Sequence, residues 1–124
     1  MTSVEYFSGP AAFPLSRAIR AGDFVYLSGQ IPLRDGQPLL ASIEEQTHAV
    51  LTAISESLKA AGSSMEQVIK TTVWLSDLEH FERFNQVYRG YFQAGAYPVR
   101  STVQAQLAFG VALEIEAQAY SPAA

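Results

Sequence analysis

Cysteine is absent from this 124-residue sequence, which excludes disulfides, thiolate metal sites and cysteine nucleophiles. Basic residues are few: 8 lysines and arginines stand against 12 acidic residues, for a formal net charge of −4, and they form no basic patch. Because binding to a phosphate backbone depends on such a patch, we expect no nucleic-acid partner. The sequence has no apolar run near the roughly 20 residues of a membrane-spanning helix and no export signal at its N-terminus. We therefore expect a soluble, cytoplasmic protein without a membrane partner.

Histidine is also scarce. His48 and His80 lie far apart on predicted helices, without a partner at metal-ligand spacing, so we expect surface residues and no metal site. Hydrophobic residues make up 48% of the chain and charged residues 16%, which is a globular composition with a rather apolar surface. The length fits one domain, residues 1–124, and the apolar surface suggests burial against other subunits.

Turn residues divide the chain into short elements. Pro10 and Pro14 indicate that residues 1–13 are extended or poorly ordered. Asp35-Gly36, between two prolines, predicts a turn or loop over residues 30–40. The remaining pattern predicts strands at 17–20, 24–29 and 68–75 and helices at 42–61 and 78–92.

Both helices have recognisable signals. Ser42 and Glu45 form a capping box, and Gly62 suits the C′ position of the first helix. In the second helix, Glu79 and Arg83 are spaced as an i,i+4 ion pair. The predicted apolar stripes consist of Ile43, Val50, Leu51, Ile54, Leu58 and Ala61 in the first helix, and of Leu78, Phe81, Phe84, Val87/Tyr88 and Tyr91/Phe92 in the second.

The last third alternates polar and apolar residues from Arg100 to Leu107 and from Val111 to Tyr120, which predicts two strands. Phe109-Gly110 between them suggests a hairpin. In that case four polar side chains share one sheet face: Arg100, Thr102, Glu114 and Glu116. The predicted order is β-β-α-β-α-β-β, an α+β fold with two helices on one face of a mixed sheet.

Arg100 is the first candidate for chemistry, because a guanidinium offers a rigid fork of donors that matches a carboxylate. A surface arginine or an intersubunit salt bridge is the alternative. Glu114 and Glu116 can do acid-base work, or they can be solvated residues. Ser28-Gly29 lacks the surroundings of a nucleophile elbow and suits a turn or a backbone donor.

Seven stretches of the sequence resemble the Rid family, the reactive intermediate/imine deaminases also called YjgF proteins. The likeness covers about residues 14–120, and its pieces occur in the family's order. The stretches are Leu27-Ser28-Gly29-Gln30-Ile31, Glu45-Gln46-Thr47, Ala60-Ala61-Gly62-Ser63-Ser64, Val68-Ile69-Lys70-Thr71-Thr72-Val73, Phe84-Asn85-Gln86-Val87-Tyr88 with Tyr91-Phe92, Pro98-Val99-Arg100-Ser101-Thr102-Val103, and Glu114-Ile115-Glu116.

The resemblance implies a chorismate-mutase-like fold and a homotrimer with clefts between subunits. It implies that Arg100 binds a substrate carboxylate and that Glu114 orients the attacking water. It also implies that Thr102 and Ser28-Gly29 line the cleft, with Asn85 beside it.

Three departures from the family's pattern bear on the site. Leu15 stands where a cleft tyrosine is frequent, and Ala53 stands where an asparagine is usual. The segment from Arg100 to Glu114 is one residue shorter than in the best-known deaminase group, which makes Glu116 a lesser candidate for orienting the water.

By resemblance, the expected activity is hydrolysis of small 2-imino or enamine acids, of the 2-aminoacrylate type, to 2-oxo acids and ammonia. It requires no metal, cofactor or covalent nucleophile. The alternative is a non-catalytic member that binds a carboxylate metabolite, which Leu15 and the shorter segment favour. A third interpretation, a ribonuclease or translation inhibitor, conflicts with the acidic charge balance.

Overall fold

One mixed sheet and two helices make up most of the chain. The computed structural model describes residues 3–122. Five strands come first in the sequence and are followed by elements in the order α-β-α-β-β. The strands are β1 (Val4–Ser8), β2 (Ser16–Ala21), β3 (Phe24–Gln30), β4 (Leu33–Arg34), β5 (Gln37–Pro38), β6 (Val68–Leu75), β7 (Val99–Gln104) and β8 (Leu113–Tyr120), and the helices are α1 (Ile43–Ala60) and α2 (Phe81–Tyr88). The predicted α+β class with two helices on a mixed sheet is confirmed.

The main sheet has the strand order β1-β2-β3-β8-β6-β7. Strand β8 runs antiparallel to both β3 and β6, whereas β6 and β7 are parallel and joined through α2. A parallel pair needs such a crossover, because a tight turn cannot return the chain in the same direction. Strand β7 is the last in the strand order, so it lies at an edge of the sheet.

The predicted hairpin between β7 and β8 is wrong, because β6 lies between these two strands. The connection instead arches over the end of β6. Ala105 N donates to Leu75 O at 3.0 Å, and Ser76 N donates to Ala112 O at 3.0 Å. These two bonds attach the connecting loop to the backbone at the end of β6. The alternating pattern therefore predicted the two strands correctly, but it did not predict which strands pair.

The core lies between the sheet and α1. The predicted stripe of α1 is buried, and Ser42 Oγ accepts from Glu45 N at 3.1 Å as the capping motif requires. Gly62 has φ +80°, the left-handed conformation expected just beyond the helix. The fully buried side chains include Val50, Leu51, Ile54, Leu58, Val73, Leu75, Phe84, Leu113 and Ile115.

The second helix is shorter than predicted. Its α-helical part is flanked by 3₁₀ turns at Leu78–His80 and Arg89–Tyr91. Asp77 Oδ1 accepts from Glu79 N at 2.9 Å and so caps the first turn. The predicted Glu79–Arg83 pair is wrong, because Arg83 pairs with Glu44 of α1 at 2.8 Å.

Two strand features were not predicted. Residues 1–13 were expected to be extended or poorly ordered, and within them Val4–Ser8 forms β1, which pairs with β2. The expected loop at residues 30–40 contains the β4–β5 hairpin, with Asp35 at φ +52° and Gly36 at φ +78°.

None of the helices in residues 3–122 is long and apolar enough to span a membrane.

The sheet face opposite the helices carries exposed aromatic rings. Phe24 and Tyr120 are register partners on β3 and β8 with ring centroids 5.5 Å apart, and Tyr26 follows on the same face. Exposed rings grouped in this way are typical of an interaction surface.

Candidate functional site

Arg100 lies on the edge strand β7, on the face that packs against α2. Its guanidinium carbon lies 4.9 Å from the ring centroid of Tyr88, 5.4 Å from that of Phe84 and 5.6 Å from that of Phe81. Within residues 3–122, Arg100 forms no ion pair. Its charge is therefore held against aromatic rings and remains available to an anionic ligand.

A cleft of about 300 Å³ opens beside Arg100. Two polar atoms near this arginine are buried without a hydrogen bond to any residue of the described range, Asn85 Oδ1 and Thr102 Oγ1. An unsatisfied buried polar atom costs about 1–3 kcal/mol, and in native proteins such an atom often has a catalytic role or binds a water molecule or an ion. The cleft is lined by Asn85, Tyr88, Arg89, Tyr97, Pro98 and Arg100. We call Arg100, Asn85 and Thr102 the arginine half-site.

Glu114 lies on β8, close against the backbone of Gly29 on β3. A Cβ atom placed on Gly29 would collide with the Glu114 carboxylate, 3.0 Å from its Cδ. The strand pairing is irregular at this point, between Leu27 and Gln30, and the missing side chain at Gly29 leaves the space that the carboxylate occupies. We call Glu114, Ser28 and Gly29 the glutamate half-site.

Partial burial raises the pKa of the Glu114 carboxyl, and the negative charge of Glu116 raises it further. Burial disfavours the charged form of a carboxyl group, and a like charge nearby acts in the same direction. A carboxyl group with a raised pKa is better suited to exchange a proton near neutral pH than a fully solvated one.

Ser28 of the glutamate half-site and the predicted cleft residue Leu15 both lie near the start of β2. Ser28 Oγ donates to the Ser16 carbonyl oxygen at 2.5 Å, so this hydroxyl links β3 to β2. Leu15 directly precedes β2, is 47% exposed, and lies against the backbone of Gly9. Ser28 therefore has a structural bond to Ser16, the residue that follows Leu15 in the sequence, and Leu15 presents an apolar side chain to solvent.

The predicted sharing of one sheet face by Arg100, Thr102, Glu114 and Glu116 is wrong. Directly paired residues point to the same side of a sheet. Arg100 and Thr102 of β7 are paired with Thr71 and Val73 of β6, respectively. The side chains of Thr71 and Val73 are buried on the helix-covered face. Glu116 and Glu114 pair with the alternate β6 residues, Thr72 and Trp74, whose side chains point to the opposite, open face.

The expectation failed because it assumed that β7 and β8 were neighbours. The two half-sites therefore lie on opposite faces of the sheet, with β6 between them. Sequence reasoning also missed the rings around Arg100. The spacing of three and four residues predicts one helix face for Phe81, Phe84 and Tyr88, but it does not say that this face packs against the strand that carries Arg100.

A mixed sheet with two helices on one face defines this chain as a small α+β domain, and its candidate site residues lie on both faces of that sheet. A model of the family described as Endoribonuclease L-PSP matches residues 8–121. The chain belongs to this family, and the resemblance to Rid and YjgF proteins is confirmed.

Named relatives cover most of the chain. Reactive Intermediate Deaminase A of Arabidopsis thaliana chloroplasts is 43% identical over 111 residues, 86% of this chain and 59% of the relative. The 2-iminobutanoate/2-iminopropanoate deaminase of Mus musculus is 40% identical over 112 residues, 87% of this chain and 82% of the relative. The crystal structure of yeast Mmf1 has a TM-score of 0.89 at 35% identity and covers 96% of this chain and 99% of its own.

Proposed function

We propose that this protein hydrolyses small 2-imino acids, including those that form from 2-aminoacrylate-type enamines, to 2-oxo acids and ammonia. The observation that carries this proposal is the guanidinium of Arg100, which lies beside an open cleft and forms no ion pair with any residue from 3 to 122. The names of relatives near 40% identity support the reaction class.

In the proposed reaction, Arg100 donates two hydrogen bonds to the substrate carboxylate. The imine carbon is then held beside a water molecule that Glu114 orients. The carboxylate of Glu114 takes a proton from the water as the water oxygen bonds to the imine carbon, and the electron pair of the C=N π bond moves to the nitrogen, which takes a proton from solvent. The Glu114 carboxyl then returns its proton to the carbinolamine nitrogen. Ammonia leaves as the C–N bond breaks, and the hydroxyl group loses its proton to water, which leaves the carbonyl of the 2-oxo acid. Asn85, which lines the cleft, and Thr102, two residues beyond Arg100 on β7, supply further polar contacts.

The two half-sites must come from different copies of the chain to act on one substrate, because they lie on opposite sheet faces. The exposed aromatic rings of the open face supply a surface for such an association. A homotrimer with a cleft at each interface, as the family resemblance implies, brings three arginine half-sites against three glutamate half-sites.

The required catalytic power is modest. Free imines already hydrolyse in water, so the site needs to lower the barrier by only a few kcal/mol, where about 1.4 kcal/mol corresponds to tenfold in rate. Holding the carboxylate and the water in place is sufficient for such a gain.

Removing the arginine tests the proposal. A pyridoxal-dependent dehydratase supplies 2-aminoacrylate, and formation of the 2-oxo acid is followed with and without the protein. We expect Arg100→Ala to abolish the acceleration and Arg100→Lys, which retains the charge but not the planar fork, to retain only part of it. Arg34→Ala is the matched control, because Arg34 is exposed on β4 and lines a pocket that contains no residue of either half-site.

Size-exclusion chromatography of each variant checks that the assembly survives. Equal rates for the wild type and Arg100→Ala would refute the proposed deaminase function. Loss of the acceleration in Arg34→Ala as well would show that the assay reports general damage to the protein.

The second candidate is a non-catalytic protein that binds a carboxylate metabolite at the same arginine. Leu15, which replaces a polar ring with an exposed apolar side chain, is the observation that favours it. Binding of a 2-oxo acid that depends on Arg100, without turnover of any imine, would establish this alternative. The family description also names endoribonucleases, but a net charge of −4 opposes RNA binding. RNA binding at low salt would contradict our expectation.

A further inference from the structure

Helix α2 presents three aromatic rings to the Arg100 guanidinium. Phe81, Phe84 and Tyr88 follow at spacings of three and four residues, so they lie on one face of the helix. All three ring centroids are within 5.6 Å of the guanidinium carbon. This set of rings, which we call the aromatic frame, contacts the arginine from the helix side.

Two members of the aromatic frame are fixed in the core. Phe84 is 0% exposed and Tyr88 is 4% exposed, and their ring centroids lie 5.2 Å apart. The Tyr88 hydroxyl is hydrogen-bonded to Thr71 Oγ1 at 2.7 Å. Thr71 is the residue of β6 directly paired with Arg100, so this bond ties the frame to the backbone position next to the arginine.

Phe81 differs from the other two rings because it is 40% exposed. It begins α2, immediately after the 3₁₀ turn capped by Asp77. Its substitution can therefore change the surroundings of Arg100 without creating a cavity in the core.

Aromatic rings hold a guanidinium in a way that an acidic residue does not. A cation over a ring face is attracted by the ring quadrupole, and its charge is not neutralised. The N–H groups therefore remain able to donate to a carboxylate. Restricting the arginine side chain before the ligand arrives also lowers the entropy lost on binding.

We propose that the aromatic frame preorganises Arg100 for carboxylate binding, and that Phe81 is a positioning residue in this role. The inference rests on the proposed function only for the identity of the ligand, a 2-oxo or 2-imino acid. It predicts that the ring of Phe81, and not merely its apolar volume, determines the affinity of the site.

Two substitutions separate the ring from its volume. Phe81→Leu retains an apolar side chain without an aromatic face, whereas Phe81→Tyr retains the face. Pyruvate is the probe, and its dissociation constant is measured by isothermal titration calorimetry or by ligand-observed NMR. We expect Phe81→Leu to weaken binding about fivefold and Phe81→Tyr to stay within about twofold of the wild type.

The kinetic counterpart uses the 2-aminoacrylate assay. Because the frame acts through binding, Phe81→Leu should raise KM and leave kcat largely unchanged. If Phe81→Leu binds pyruvate as tightly as the wild type, the ring has no positioning role and the inference is overturned. Equal weakening in Phe81→Tyr and Phe81→Leu would also overturn it, because retaining the ring would then make no difference.

The binding measurement distinguishes this inference from the proposed function. Tight binding by the wild type, weaker binding by Phe81→Leu and no imine turnover would refute the deaminase and leave the aromatic frame supported. Turnover together with unchanged binding in Phe81→Leu would refute the frame alone. Failure of the wild type to bind pyruvate would refute the carboxylate site that both require.

Discussion

Gly29→Ala should inactivate the protein without unfolding it. The added Cβ would occupy the position of the Glu114 carboxylate, 3.0 Å from Cδ and 3.2 Å from Cγ. The carboxylate is the far end of a flexible side chain, so it can turn away while the backbone stays in place. Glu114 would then no longer reach the water that it orients in the proposed reaction.

The two expected magnitudes differ sharply. Gly29 does not have a positive φ, so alanine fits its backbone, and the loss of chain entropy in the unfolded state offsets part of the steric cost. We expect the free energy of unfolding to change by no more than about 1 kcal/mol. Loss of a positioned general base typically costs about 10²–10⁴ in rate, which here amounts to most of the acceleration over free hydrolysis.

The experiment compares Gly29→Ala with Glu114→Gln and with Gly90→Ala. Urea unfolding gives the stability, and the 2-aminoacrylate assay gives the rate. Gly90 is the matched control because a Cβ there meets no atom within 4 Å and its φ is not positive. We expect Gly29→Ala to behave like Glu114→Gln, and Gly90→Ala to behave like the wild type. A wild-type rate for Gly29→Ala would show that the position of Glu114 is not needed for the reaction.

Two further predictions concern the proposed site. Since the pKa of Glu114 is raised, kcat/KM should increase with pH through an inflection above 4.5, the ordinary pKa of a glutamate carboxyl. Glu116→Gln should move that inflection to lower pH, because it removes the neighbouring negative charge. An inflection unchanged in Glu114→Gln would assign it to another group. Mixing unfolded Arg100→Ala and Glu114→Gln chains and refolding them together should restore activity to about a quarter of the wild type, because a quarter of the interfaces then have both intact groups. No recovery in refolded mixed oligomers would place both groups in one chain's own site.

Local signals predicted much of the fold. The Ser42 cap, the stripe of α1 and the β-branched strand at Val68–Leu75 are each set by neighbouring residues, and each was found where the sequence placed it. Strand β1 was missed because its exposed residues carry no burial pattern, and its pairing with β2 depends on a partner supplied elsewhere in the chain. The pairing of β7 with β6 through α2 is likewise a long-range choice that alternation does not encode.

The site was predicted less completely, because its residues depend on that strand order. Alternation placed Arg100 and Glu114 on polar faces of their own strands, and it cannot say that the two faces point in opposite directions. The contact between Gly29 and Glu114 was also hidden, because it depends on an irregular pairing of β3 with β8. Family resemblance supplied these candidate residues, and the structure assigns them to two half-sites.

The strand order also changes the meaning of the shortened segment between Arg100 and Glu114. In a hairpin, one fewer residue would shift the register of the two strands, and therefore the distance from the arginine to the glutamate. Here each strand is instead registered against β6: Arg100 is paired with Thr71, and Glu114 with Trp74. The part of this segment that lies outside both strands, between residues 105 and 112, is the loop that arches over the end of β6. The shorter segment therefore leaves the positions of both side chains fixed by β6, and its length gives no reason to prefer Glu116. Glu114 is the partly buried carboxylate beside Gly29, whereas Glu116 is exposed and acts on it by raising its pKa.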